Sequence, residues 1–350
     1  MSDGILFFDG FEGDTTASVW QGIDGGFLQT DMIDPQWART GGYGYGFVGG
    51  GTGGAQSCLW TPTDYIIIGF AFLWHGQGGG VQGDPIMQLR GPGDVVHVGL
   101  NFNTQNVFGF LKPDGNMLWS VRTLDADAWY YIELRVKIHN TTGSVELWIN
   151  GGADIAVTGL DTAGGGDPNG WFVNQFHVGR LGGYLAGQGP THYQYDDFYV
   201  MNANVTPTPL GDSEVLGYAL QDDASVMFSR SSGSKNYQLV DETTPDEDAT
   251  YVYSDVDNAE DYYVVGDTSY LGTIHAVQLV IRCRKTATQI WTIQGAIELT
   301  GTKSYGIQRY MAYPNYETLQ PYVFGDAPGS TGWTVGQFNA MTVGFRIQTP

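Results

Sequence analysis

The chain has 350 residues and a formal net charge of −22, yet only 15% of its residues are charged, so the imbalance reflects scarce Lys and Arg rather than acidic blocks. Phosphate binding needs a basic face, which excludes nucleic acid as an expected partner. Apolar content of 42% and aromatic content of 14% exclude a disordered chain, and no apolar run approaches the roughly 20 residues that span a bilayer, so no membrane partner is expected either.

The opening stretch, MSDGILFFDGFEGD (1–14), lacks the basic region and apolar core of a secretory leader, and classical secretion is not expected. Helical periodicity is hard to find. Short runs rich in Val, Ile, Phe, Tyr and Trp recur between Gly, Asp, Asn and Pro turns, the pattern of sandwiches or barrels. In chain order the strands expected in the first half are 65–75 (YIIIGFAFLWH), 85–90 (PIMQLR), 95–102 (VVHVGLNF), 106–111 (NVFGFL), 117–121 (MLWSV), 130–138 (YYIELRVKI), 144–150 (SVELWIN) and 195–202 (YDDFYVMN). The second half adds LGYAL, YQLV, TYVYS, HAVQLVIRCRK, TQIWTIQGAIEL and TVGFRIQ.

Within 130–138, Tyr131, Glu133, Arg135 and Lys137 alternate with Ile132, Leu134, Val136 and Ile138, so one face should cover a core and the other meet water. On the returning strand Trp148 falls on the polar face, either as packing at a sheet edge or as an exposed stacking platform. Between the halves, NANVTPTPLGDSE (202–214) places Pro207 and Pro209 after a strand and before new acidic sequence, the best linker in the chain. The expected organisation is a domain at 1–205, a linker at 206–213 and a domain at 214–350. Acidic and basic residues number 21 and 7 in 1–212, a net of −14, and 16 and 8 in 213–350, a net of −8. Cys58 and Cys283 fall in different halves without a CxxC pair and read as buried thiols.

The pieces around Trp129–Glu133, Val145–Gly151 (VELWING), Tyr195–Val200 (YDDFYV) and the opening FFDGFE (7–12) resemble concanavalin-like jelly-roll modules of the laminin-G and pentraxin type, over about 1–205. That resemblance implies a β-sandwich, a fold that hosts lectins, glycanases and inert spacers alike. Glycanase branches of the fold carry a Glu-x-Asp-x-x-Glu run on one strand, and no such run exists in this chain. Glu133 and Glu146 each stand alone and read as solvated strand positions. Asp196 and Asp197 offer oxygen to a calcium ion, but adjacent strand residues face opposite ways, and the competing expectation is one aspartate in a hydrogen-bond network and the other in water. For sugar binding, the glycine-rich stretches 74–84 and 179–194 bring forward Trp74, His75, Tyr184 and His192 as residues that could stack on and hydrogen-bond a saccharide. Trp74 also ends a very apolar strand, which suits a core position.

From Gly211 onward the succession GDSEVLGYALQDD, TTPDEDATYVYS, IHAVQLVIRCRK and GWTVGQFNAMTVGFRIQ resembles a β-rich domain that recurs in structural proteins of tailed bacteriophages. DVDNAED (255–261) is oxygen-rich but lacks the glycine and glutamate of a calcium loop. IRCRK (281–285) is a lone basic cluster, too small for nucleic acid. No Ser-His-Asp spacing, phosphate loop or metal-ligand constellation appears, so no cofactor is expected.

These readings converge on an all-β chain of two β-sandwich domains. The expected role is a non-enzymatic virion structural protein on a tailed-phage particle, as head decoration or head fibre, with a surface glycan as ligand. A tail fibre or adsorption protein that binds host polysaccharide is the alternative. A glycan depolymerase, its carboxylates assembled from separate loops such as Asp84 with Asp94, comes third. The expected partners are other capsid or tail proteins and further copies of the chain, most simply as trimers that follow the symmetry of their mounting sites.

Overall fold

The structure is a computed structural model that describes the chain except residues 1–3, 13–19, 23–32, 50–52, 58–59, 76–82, 165–170, 182–190, 243–244, 320–321 and 350. The chain is all-β apart from short helical turns, and it divides into two compact units, Leu6–Leu216 and, with a few N-terminal residues, Gly217–Pro350. Among the described residues no helix is long and apolar enough to cross a membrane.

The strands of the first unit, in chain order, are β1 (Ile5–Asp9), β2 (Trp20–Gly22), β3 (Ile33–Asp34), β4 (Gly44–Gly49), β5 (Gly53–Ser57), β6 (Tyr65–His75), β7 (Asp84–Gly91), β8 (Val95–Phe102), β9 (Phe108–Leu111), β10 (Met117–Trp119), β11 (Tyr130–Lys137), β12 (Gly143–Ile149), β13 (Gly152–Leu160), β14 (Gln175–Arg180) and β15 (Thr191–Asn202). Eight of them form one sheet, ordered β13-β12-β11-β6-β15-β4-β3 with β1 also on β15. The other seven form a second, ordered β10-β9-β8-β7-β14-β5-β2. Alternation turns Ile66, Ile68, Phe70, Phe72 and Trp74 of the first sheet and Met87, Leu89, Val98, Leu100, Phe102, Phe176 and Val178 of the second into one shared core. This is a β-sandwich.

The outward face of the eight-stranded sheet does not meet water as its alternation suggested. Ile67, Ala71 and Leu73 point away from the core and are nonetheless buried. Residues that the sequence assigned to a linker lie across them. Gly211 N donates to Glu133 Oε1 at 2.7 Å, Leu210 N donates to Tyr199 Oη at 3.0 Å, Val215 N donates to Asp197 Oδ1 at 2.8 Å, and the Arg135 guanidinium donates to Pro207 O. Glu133, read as a solvated position, is 2% exposed. Gly69 makes this possible: a Cβ there would sit 2.1 Å from Tyr199 Cε1, so only glycine lets the Tyr199 ring lie across β6.

The second unit is built on an antiparallel sheet in the order Leu220–Val226, Glu260–Val265, Thr342–Gln348, Thr292–Leu299 and Thr302–Tyr305, with Arg309–Tyr310 also on Thr292–Leu299. Three two-stranded ribbons accompany it: Ser229–Arg230 with Val252–Tyr253, Val277–Leu279 with Tyr322–Phe324, and Arg282–Cys283 with Glu317–Thr318. Ile293, Ile297, Phe324, Trp333, Phe338 and Val343 belong to its core. Two expected strands change: YQLV is a 3-10 turn at Tyr237–Leu239, and of LGYAL only Leu220 enters a strand, Leu220–Val226. GQFNA lies in a helix, Val335–Ala340, opened by a Thr334/Gln337 capping box. The closing strand is central, paired on both sides.

Candidate functional site

Of the residues singled out from sequence for sugar binding, Trp74 and His75 point to opposite sides of their sheet. Trp74 is 3% exposed and packs on Phe102 with ring centroids 5.4 Å apart, so it is a core side chain with no face for a ligand. His75, next along the strand, points to the other side of the sheet. Its Nδ1–H donates to Asp127, and Gln194 Nε2 donates to its Nε2 at 2.6 Å, so both ring nitrogens are engaged. His192 stands opposite His75 in the β15–β6 register, and Tyr184 lies outside the described residues.

The aspartate pair is also not a ligand site. A bulge at Asp196/Tyr199 sets Asp197 and Phe198 together against Phe70, with Asp197 at φ 53°, and both carboxylates are buried. Asp196 accepts from the backbone of Arg39 at 2.7 Å and Thr40 at 3.2 Å. Asp197 accepts from Thr40 Oγ1 at 2.6 Å, from the Arg39 guanidinium at 3.1 Å and from Val215 N. The expectation of one aspartate in water is therefore corrected: neither meets solvent, because the 207–215 segment closes over them. Burial, reinforced by the neighbouring carboxylate, pushes Asp196 up to about 8, and burial likewise raises Asp197 and Glu133. This cluster anchors chain rather than substrate. Trp148, the other open question, is half-buried beneath the Arg135 guanidinium, 5.4 Å from its ring centroid.

The arrangement that can do chemistry lies on the outward face of the seven-stranded sheet. In QFH (175–177) Phe176 enters the core, so Gln175 and His177 face outward. In MQLR (87–90) Met87 and Leu89 enter it, so Gln88 and Arg90 face outward. Register brings these together: His177 stands opposite both Gln56 and Gln88, and Gln175 stands opposite Arg90. The side chains form one hydrogen-bonded row. Gln56 Nε2 donates to Gln175 Oε1 at 2.8 Å, Gln175 Nε2 to Asp94 Oδ1 at 3.2 Å, and Arg90 to Gln88 Oε1 at 2.6 Å and to Asp94 Oδ2. His177, 3% exposed, places Nε2 3.7 Å from Asp94 Oδ1. Asp94 reaches the row from the turn after β7, at φ 65°.

The same sheet face carries a second line of residues on its other strands. Asn101 of β8 stands opposite Gly109 of β9, which stands opposite Trp119 of β10. A Cβ at position 109 would lie 2.4 Å from Trp119 Cε3 and 2.6 Å from Cζ3, so the six-membered ring of the half-buried indole occupies the space over the glycine. Amides, a guanidinium and an aromatic ring on one sheet face are groups that hold hydroxyl-rich rings: polar atoms fix the hydroxyls and the indole receives the apolar face of the ring. Sequence reading passed over these residues because QLR was weighed only as a strand and QFH was not singled out. The signal was present in the polar members of two otherwise apolar strands.

No protein-family model and no curated protein sequence matches the chain. Solved structures do. A cellulose-induced protein, Cip1, is similar at 17% identity over 59% of this chain and 100% of its own, with a TM-score of 0.44. A Trypanosoma rangeli sialidase in complex with the inhibitor DANA is similar at 16% identity over 56% of this chain and 30% of its own, TM-score 0.36, so the chain spans about a third of that enzyme. The alginate lyase Aly36B is similar at 10% identity over 56% of this chain and 97% of its own, TM-score 0.36. The expectation of a chain without enzymatic activity is withdrawn: a sialidase and an alginate lyase, both glycan-processing enzymes, stand among the structures it is similar to.

Proposed function

We propose that the first unit holds glycan chains against the outward face of its seven-stranded sheet, and that the protein is carried on the surface of a tailed-bacteriophage particle, at the head as decoration or fibre or at the tail as an adsorption component. The glycan reading rests on one observation: the half-buried amide and guanidinium groups of Gln56, Gln88 and Arg90, held by Gln175, share one outward sheet face with Trp119, whose ring covers Gly109. The particle reading is supported by the ordered motifs of 211–350 and by the scarcity of Lys and Arg, 15 against 37 acidic residues.

The test is titration of the full chain with a panel of bacterial surface polysaccharides, alongside Trp119→Ala and Gln175→Leu. Binding that both variants weaken at least tenfold supports the glycan reading, and binding that neither variant changes overturns it. Immunogold labelling of purified virions tests the particle reading, and particles without label refute it.

A second reading, cleavage of the bound chain, is favoured by Asp94, whose carboxylate is 56% exposed at the row with the buried His177 imidazole 3.7 Å behind it to position it. Product release from a polysaccharide that stops in His177→Ala, with binding retained, would establish it.

A further inference from the structure

The second unit carries a groove of its own. Gln308, Arg309 and Tyr310 form one wall, on and beside the strand paired to Thr292–Leu299, while Glu317, Thr318 and Leu319 form the other, on and beside the ribbon strand paired to Arg282–Cys283. The cavity is open and measures about 370 Å³, the size of a monosaccharide with room for its neighbour.

Arg309 is the feature of this groove that the fold itself does not use. The other seven basic side chains of 213–350 each donate to a carboxylate, carbonyl or amide oxygen. Among the described residues Arg309 has no such acceptor. Its Nε is buried without a hydrogen bond, and its guanidinium lies over the Tyr322 ring, 5.4 Å from the centroid. A guanidinium held beside a ring and lacking an acceptor has a donor fork ready for two adjacent oxygens. Glu317, on the opposite wall, can only accept, and it suits a ligand that brings hydroxyl protons. Tyr310, which lines the groove, is 70% exposed, so an aromatic ring stands there without serving the core.

We infer that this groove is a second saccharide site, and that its ligand is a neutral pyranoside whose vicinal hydroxyls span Arg309 and Glu317 while its apolar face rests on Tyr310. Charge decides between neutral and acidic sugars. Residues 213–350 carry a net of −8, so a polyanionic chain would be repelled at long range, while the lining itself, one guanidinium and one carboxylate, sums to zero and suits a neutral ligand. The site belongs to the second unit and does not depend on the sheet face of the first.

The experiment is a titration of the full chain, followed by tyrosine and tryptophan fluorescence and by calorimetry, with neutral hexasaccharides of glucose, mannose and galactose and with a galacturonate hexasaccharide. To isolate the groove it is run in a Trp119→Ala background. The expected result is saturable binding of at least one neutral oligomer, weakened tenfold or more by Tyr310→Ala and by Arg309→Gln. Tyr310 is a surface side chain, so its removal leaves the fold intact, which Arg309→Gln alone does not guarantee. Absence of binding at millimolar neutral saccharide, or binding that Tyr310→Ala leaves unchanged, overturns the site. Binding of the galacturonate oligomer alone overturns the ligand class.

Discussion

Tyr199→Phe removes one oxygen from the buried outer face of the eight-stranded sheet, and its cost can be worked from the contacts that oxygen makes. The hydroxyl donates to Glu133 and accepts from Leu210 N. Without it Glu133, 2% exposed, keeps only the Gly211 N–H, and the Leu210 N–H loses its acceptor. A hydrogen bond to a charged group is worth about 1.5–3 kcal/mol and an unsatisfied buried donor costs about 1–3 kcal/mol, so with partial relaxation the loss should be about 3 kcal/mol. For a unit of this size that corresponds to a fall in melting temperature of roughly 6–12 °C. Urea unfolding followed by tryptophan emission gives the free energy. Amide hydrogen exchange gives the location, with protection expected to fall first at Leu210, Gly211 and Val215. A loss below about 0.5 kcal/mol, with exchange at those three amides unchanged, would refute the view that 207–215 is fastened through Tyr199 and Glu133.

Burial raises Asp9 to about 6, Glu12 to about 7 and Asp196 to about 8. Groups with raised folded values stabilise fully below their unfolded values near 4, and that contribution is lost as pH rises through 6 to 8. The first unit should therefore unfold at higher urea at pH 5 than at pH 8.5, and the reverse order would contradict the buried-carboxylate account. In the second unit, burial pushes the Cys283 thiol up to about 12, so it should resist a disulfide reagent at pH 8 until the protein unfolds, and rapid labelling of the native chain mapped to Cys283 by mass spectrometry would disprove this. Gly109→Ala puts a Cβ 2.4 Å from the Trp119 ring and should weaken glycan binding as strongly as Trp119→Ala, and unaltered affinity would show that the flat pose of the indole is immaterial.

The strands of the first half were readable because β6, β8, β11 and β12 are apolar on the face that meets the core, and alternation states which residues those are. What covers the opposite face was not readable. Glu133 and Arg135 have the same alternation whether water or a chain segment lies over them, and the segment that does, around Leu210 and Gly211, carries the Pro and Gly content of a free linker. The candidate site escaped for a related reason. Gln88, Arg90, Gln175 and His177 are far apart in sequence and converge only through the β7–β14 register, which no local pattern encodes. The residues that were singled out, Trp74 and His75, were chosen for chemistry next to glycine-rich loops. Chemistry alone could not show that Trp74 faces inward.

Glycine and aromatic residues are abundant in this chain for connected reasons. Gly69 receives the ring of Tyr199 from β15, and Gly109 receives the ring of Trp119 from β10. In each case a large flat side chain lies along the sheet instead of standing up from it, because the neighbouring strand offers no Cβ. The consequence differs with what lies above. Over Gly69 the 207–215 segment closes the surface, and the tyrosine hydroxyl becomes a fastening for its backbone. Trp119 over Gly109 is left half-buried, and the same device yields an apolar tile next to Asn101 on the sheet face that also carries the polar row. A side chain standing upright at position 119 would pack against its neighbours and close the face. The glycine opposite it is what keeps that face flat enough to receive a sugar ring.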